Sequence, residues 1–144
     1  PQVAADVLSR AGAASDMIVG NDEEFGFMAG GIDKGLTKAR ELAQQPGRIV
    51  IYKMGENGAV TFADGQEIRT GIYPVDAVKP NGAGDSFISG LLASVAAGHS
   101  LHDAVLRGSA SASIVVSKPG CAPAMPDTAQ LDAFLADHPG PTDT

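Results

Sequence analysis

The stretch Lys79-Pro80-Asn81-Gly82-Ala83-Gly84-Asp85-Ser86-Phe87 holds the residue types best suited to chemistry. Small residues ahead of an apolar-periodic run leave backbone N–H groups pointing out of a helix start. The helix dipole adds partial positive charge there, and together these make an anion site. Glycine lets a phosphate-sized anion approach the backbone with no Cβ in the way. Asp85 falls in the first turn beside that site, where it can accept a proton from a hydroxyl attacking phosphorus. A plainer reading is also open: Asn81 caps the helix and Asp85 complements its dipole. Two other phosphate motifs are excluded. Gly-x-x-x-x-Gly-Lys-Ser/Thr is absent, and Phe87 occupies the third glycine position of Gly-x-Gly-x-x-Gly.

The elements that must position these residues follow from periodicity. Val3 to Ala11 reads as a short helix, with Val3, Val7, Leu8 and Ala11 on one face. Met17-Ile18-Val19 suits a buried strand, and Asn21 opens a helical stretch through Met28 that Gly30-Gly31 breaks. Asp33 to Gln45 is an amphipathic helix stopped by Pro46-Gly47. Arg48 to Met54 is β-rich, Gly55-Glu56-Asn57-Gly58 turns, and Ala59 to Phe62 returns as a strand. Edge-like strands are expected from Ile68 to Val75. Helices should then run from the Gly-rich stretch to Gly98, from Leu101 to Val116, and from Thr128 to Leu135. Strands alternating with helices indicate an α/β layered domain with a largely parallel sheet, and Val60 to Val75 looks like an attached antiparallel meander.

Composition narrows the function classes. The 144 residues suit one domain; 44% are apolar and 19% charged, so the chain reads as globular. The net charge of −7 repels phosphate backbones and argues against nucleic acid as a partner. No apolar run approaches the ~18 residues of a membrane span. The single cysteine, Cys121, fits a reducing compartment and a small buried role, and the expected location is cytoplasmic. His99 and His102, three apart at a helix start, suit capping or solvent better than metal, and His138 falls near the end.

Several segments together resemble one family. Ile49 to Ala59, the Gly-Ala-Gly-Asp-Ser-Phe helix start, and Gly108 to Ala112 running into Lys118-Pro119-Gly120-Cys121-Ala122-Pro123 resemble the C-terminal half of the PfkB/ribokinase-like sugar kinases. Asn21-x-x-Glu24 after a short strand is similar to that family's Asn-x-x-Glu element. The resemblance implies a three-layer α/β/α sandwich of ribokinase type, present as a C-terminal portion. Residues 1–138 would form the nucleotide-binding and catalytic part and 139–144 a flexible tail. It also implies ATP-dependent transfer of the γ-phosphoryl group to a sugar or sugar-acid hydroxyl, with Mg²⁺.

In that reading Asp85 is the catalytic base, and Gly82, Ala83 and Gly84 form the anion hole that stabilises the transferring phosphoryl group. Lys53, Gly55, Glu56 and Gly58 lie along the nucleotide, although a hairpin turn explains Glu56 equally well. Ser109, Ala112 and Ser113, with Gly120 beyond them, border the adenine; close helix packing is the competing reason for such small residues. Asn21 and Glu24 place Mg²⁺ through water, a role compatible with a capping box. Where the family commonly reads Val-Asp-Thr-Thr, this chain has Val78-Lys79-Pro80-Asn81. Lys79 sets an ammonium in place of a carboxylate that helps hold a monovalent cation, which counts against K⁺ dependence.

Lys79, with Gly71-Ile72-Tyr73-Pro74 upstream and Cys121 to Pro126 downstream, looks most like the 5-dehydro-2-deoxygluconokinase sub-family. The expected partners are a nucleotide and a sugar or sugar acid, with no nucleic acid and no membrane; a homodimer of the longer protein stays open. Family members carry an N-terminal half, with a Gly-Gly sugar signature and a lid, that has no counterpart here. A chain of this kind should expose an apolar sheet edge. Two other readings remain: a nucleotide-binding fragment without activity of its own, and a nucleoside kinase of the same superfamily.

Overall fold

Two runs rich in β-branched residues, Met17–Asn21 (β1) and Ile49–Lys53 (β2), pair in parallel, with Met17 beside Ile49 and Asn21 beside Lys53. They belong to a computed structural model that describes residues 2–78, 81–120 and 124–141. Lys79, Pro80 and Cys121 lie outside the described residues. The chain divides into two compact units, Pro1–Arg69 and Thr70–Thr144.

In the first unit, a tight turn of 3₁₀ type over Gly55–Asn57 returns the chain from β2 into Ala59–Ala63 (β3). So short a link cannot make a crossover, so β3 pairs antiparallel to β2, with Val50 opposite Phe62 and Lys53 opposite Ala59. Gln66–Thr70 (β4) follows, and the sheet order is β1-β2-β3-β4. The sheet is therefore mixed, and the expected parallel arrangement holds for β1 and β2. Strand alternation points Val50, Tyr52, Val60 and Phe62 to one face. There they pack with Ile18 and with Phe25 and Ala39 from the helices below.

Three helices complete this unit: Gln2–Ala13 (α1), Asp22–Ala29 (α2) and Gly35–Leu42 (α3). The single helix expected over Asp33 to Gln45 is split. A 3₁₀ turn over Ile32–Lys34 precedes α3, and the Arg48 guanidinium donates to the Leu42 carbonyl at 3.3 Å where α3 ends. Gly35 explains the tight start of α3. A Cβ there would lie 3.2 Å from the Tyr52 ring, the Tyr52 hydroxyl and the Asp22 carbonyl. Burial, and then the Asp22 charge, push the Tyr52 phenol above its ordinary pKa. Val3 and Val7 of α1 are exposed, as are Phe27 of α2 and Ile32 of the 3₁₀ turn; these lie on helical elements and not on the sheet edge.

The second unit is built on Ala83–Ala96 (α4), Leu101–Val116 (α5) and Thr128–Asp137 (α6). α4 and α5 cross closely because each supplies a glycine at the crossing. A Cβ on Gly108 would sit 2.8 Å from the Phe87 carbonyl oxygen, and one on Gly90 would sit 2.5 Å from Ser111 Oγ. Arg107 ties the three helices together, donating to Ser94 Oγ at 3.1 Å and pairing with Asp132 at 2.7 Å. A small core of Tyr73, Ala110, Ile114 and Leu131 packs against Phe134, whose ring meets Tyr73 edge-on at 5.7 Å.

The strand expected through Val75 ends at Thr70. Residues 71–78 run along α5 instead. Ser109 Oγ donates to the Gly71 carbonyl at 3.3 Å, Ser113 Oγ to the Tyr73 carbonyl at 2.8 Å, and the Val78 N–H to the Val116 carbonyl at 2.8 Å. The periods match: two extended residues advance about 6.6 Å, and four helical residues about 6 Å. Alternate carbonyls therefore meet serines one helical turn apart, and Pro74 has no N–H to offer a strand ladder.

Gly108→Ala tests the crossing. Alanine inside a helix ordinarily gains about 1 kcal/mol over glycine, but here the new methyl meets a backbone oxygen. Urea unfolding should show a net loss of about 1–3 kcal/mol. Equal or greater stability would mean that α4 and α5 can part freely.

Candidate active site

The two units carry separate groups of candidate residues, and each group is described on its own unit. In the first, the carboxyl ends of β1 and β2 lie side by side, which is where open α/β sheets bind ligands. Asn21 and Lys53 are direct register partners there. Asn21 caps α2, with φ −96° and ψ 176°, and its Oδ1 accepts the Glu24 N–H at 2.8 Å. Glu24 Oε2 reciprocates by accepting the Asn21 N–H at 2.7 Å, a complete capping box.

The capping role expected of this pair is thus present, and it bears on metal binding. One carboxylate oxygen and the amide oxygen are committed to backbone N–H groups. The exposed Glu24 carboxylate keeps its second oxygen for a water or a cation's hydration shell. Among the described residues no group of three or more His, Cys, Asp or Glu side chains could hold a metal ion. The residues present fit contact with Mg²⁺ through water and do not form a direct cage.

The loop after β2 is closed by its own backbone. The Met54 N–H donates to the Gly58 carbonyl at 2.8 Å, and the Asn57 N–H to the Met54 carbonyl at 3.0 Å. Gly58, at φ 80° and ψ −139°, occupies a conformation open only to glycine. Gly58 is buried, whereas Gly55 and Glu56 are exposed on the outer side of the turn.

In the second unit the helix cap is Gly82, left-handed at φ 88° and without a side-chain cap bond. The plainer reading, in which Asn81 caps α4, is not what the structure shows. The Ser86 N–H makes a helical bond to the Gly82 carbonyl at 3.0 Å, so the N–H groups of Ala83, Gly84 and Asp85 precede it at the open helix end. Ser86 and Phe87 turn into the fold, and Asp85, one step of about 100° away, is exposed.

Ser109 and Ser113 are buried, and their hydroxyls hold the 71–73 backbone. Ala112 is half-buried, and Gly120, at φ 88°, is exposed. His99 and His102 are both exposed; the His102 ring lies 3.6 Å from Asp103. The Asn21–Lys53 pairing and the Arg107 bridge were not foreseen from sequence. Strand register has no local sequence signature, and a lone arginine in a small-residue helix reads as surface.

Similar solved structures share the ribokinase fold. A ribokinase from Arabidopsis thaliana, solved with ribose and ATP, superposes with a TM-score of 0.75 at 26% identity, over 88% of this chain and 43% of that one. The pfkB family carbohydrate kinase model matches residues 1–128, and the chain belongs to that family. It is 39% identical to a 5-dehydro-2-deoxygluconokinase from Photobacterium profundum, over 87% of this chain. It is 36% identical to a protein of the same description from Bacillus anthracis, over 84%. The chain spans 39% and 38% of the length of these two relatives. Among the described residues, no helix is long and apolar enough to cross a membrane.

Asn21→Ala removes one half of the capping box. It should lower stability by about 1 kcal/mol in chemical unfolding, with Asn21→Asp close to unchanged. An unaltered midpoint in the alanine variant would show that α2 does not depend on this cap.

Proposed function

We propose that this chain is the nucleotide and catalytic portion of an ATP-dependent sugar kinase acting on a sugar-acid hydroxyl, of the 5-dehydro-2-deoxygluconate type. The observation that carries the proposal is Asp85, exposed in the first turn of a glycine-capped helix, in a chain of the pfkB carbohydrate kinase family. Asp85 takes the proton of the acceptor hydroxyl as that oxygen bonds to the γ-phosphorus. The bond to the β–γ bridging oxygen breaks and ADP leaves. The N–H groups of Ala83, Gly84 and Asp85 face the negative charge on the transferring group. Mg²⁺, when bound, neutralises phosphate charge, and Asn21 and Glu24 orient its water shell. Lys53, Gly55, Glu56 and Gly58 line the nucleotide, while Ala112 and Gly120 border its base. Ser109 and Ser113 act there through the backbone they hold. The site of action is the cytoplasm, and residues 1–138 work as one functional portion.

A second reading belongs to a different class. The alternative is a nucleotide-binding portion without transfer of its own, and the exposed loop residues Gly55 and Glu56 are open to a nucleotide in either case. Titration with Mg²⁺ and ATP, followed by addition of candidate sugar acids, separates the two: binding without turnover selects the second. In the longer protein, Asp85→Asn should keep nucleotide binding and lose at least ~10²-fold in kcat. Near-normal turnover would remove Asp85 from the mechanism.

Lys79 is proposed to stand in for a monovalent cation beside the anion hole, since an opposite charge at ~4 Å is worth a few kcal/mol at an effective dielectric of ~20. Activity of the longer protein should then be nearly independent of K⁺, and Lys79→Asp should lose activity and regain part of it on K⁺ addition. Strong K⁺ activation of the unmodified protein would end this proposal.

A further inference from the structure

The chain holds three asparagines, Asn21, Asn57 and Asn81, and the last two precede a glycine. An asparagine amide is chemically labile. The backbone nitrogen of the next residue can attack its side-chain carbonyl carbon, and a following glycine eases the approach because it has no Cβ. The three residues have different surroundings. Asn21 precedes Asp22, and its Oδ1 accepts the Glu24 N–H at 2.8 Å within the capping box. Asn57 is exposed, but Gly58 is buried and its N–H donates to the Gly55 carbonyl at 3.2 Å. The Met54 N–H closes the same turn on the Gly58 carbonyl at 2.8 Å, and the Asn57 N–H does so on the Met54 carbonyl at 3.0 Å. Attack by the Gly58 nitrogen therefore requires that nitrogen to give up its bond and the turn to open.

Asn81 is also exposed, and it stands just ahead of α4, whose cap is Gly82. The Ser86 N–H bonds to the Gly82 carbonyl at 3.0 Å, so the Gly82 nitrogen lies outside the helical ladder. The dipole of α4 at this end favours the negative charge that builds on that nitrogen and on the side-chain oxygen during attack. We propose that Asn81–Gly82 is a site of spontaneous deamidation in the folded chain, and that Asn57–Gly58, the same dipeptide, is protected by its turn. The Gly82 nitrogen loses its proton to hydroxide and bonds to Asn81 Cγ. The Cγ–Nδ2 bond breaks, and ammonia leaves with a proton taken from water. Water then opens the cyclic imide at either carbonyl, giving aspartate or isoaspartate. Both products put a carboxylate where a neutral amide stood, directly ahead of the Ala83 and Gly84 N–H groups. Isoaspartate also adds a methylene to the backbone there.

The test is peptide mass spectrometry of the full chain after incubation in mildly alkaline buffer, with methyl transfer by an isoaspartate-specific methyltransferase as the second readout. Asn81 should convert, and Asn57 should convert at least about tenfold more slowly, a barrier difference of ~1.4 kcal/mol. In concentrated urea the turn around Gly58 and the start of α4 are both lost, and the two rates should become similar. Asn81→Gln should abolish conversion at that position and leave the rate at Asn57 unchanged. An unmodified Asn81 in the folded chain, equal rates at the two sites in the folded chain, or an undiminished preference for Asn81 in urea would each overturn the proposal. These readouts involve neither ATP nor a sugar, so they stand or fall separately from the kinase reading.

Discussion

A backbone carbonyl pressed against a glycine governs the second unit. The Phe87 oxygen stands 2.8 Å from where a Cβ of residue 108 would be, so α4 and α5 approach as closely as their backbones allow. With Phe87 held there, the rotation of α4 about its axis is set. Ser86, Phe87, Leu91 and Ser94 turn inward, and Asp85 turns out. The exposure of the one carboxylate in the first turn therefore follows from packing at Phe87, two residues further along the same helix. Closing the crossing also sets α5, whose serines then face the 71–73 carbonyls at a matching period.

The first unit relies on a different constraint, the need to satisfy backbone polar groups where elements end. β1 stops at Asn21, and the same residue starts α2, so one side chain must serve a strand end and a helix start. Its amide oxygen takes the Glu24 N–H, and Glu24 returns the bond. This sharp strand-to-helix turn carries α2 under the sheet, where Phe25 meets Tyr52 at 5.4 Å between ring centroids. Tyr52 immediately precedes Lys53, the register partner of Asn21. The packing that buries Tyr52 thus also sets the carboxyl ends of both strands, where the candidate polar residues stand.

Elements with strong local signals were legible. The β-branched runs at β1 and β2, the capping pattern at Asn21 and the periodic helices α4 and α5 appear where their residues indicate. Gly82, the left-handed cap, lies within the stretch whose small residues point to an anion site. The features that sequence does not show depend on partners distant in the chain. Residues 71–75 have the composition of an edge strand, yet the Gly71 and Tyr73 carbonyls are taken by serine hydroxyls some forty positions away, which no local pattern reports. α3 starts at Gly35, two residues later than helical periodicity indicates, where the backbone comes close to Tyr52 and Asp22, a tertiary contact that periodicity does not report.

The alternation Ser109-Ala110-Ser111-Ala112-Ser113 shows most clearly why residue type alone underdetermines a site. As a strand it would place all three hydroxyls on one face; as a helix it separates them. Ser109 and Ser113, four apart, share the face that meets residues 71–73. Ser111, about 200° around the axis from Ser109, faces α4 and the glycine at position 90. Three identical side chains in five residues thus serve two unrelated surfaces, and only the helical phase tells them apart. Alanine at either outer serine would leave a backbone carbonyl of the 71–73 segment without its donor, whereas the middle one stands at the crossing with α4, against the glycine at position 90. The same substitution therefore acts on the 71–73 segment at two positions and on the α4–α5 crossing at the third.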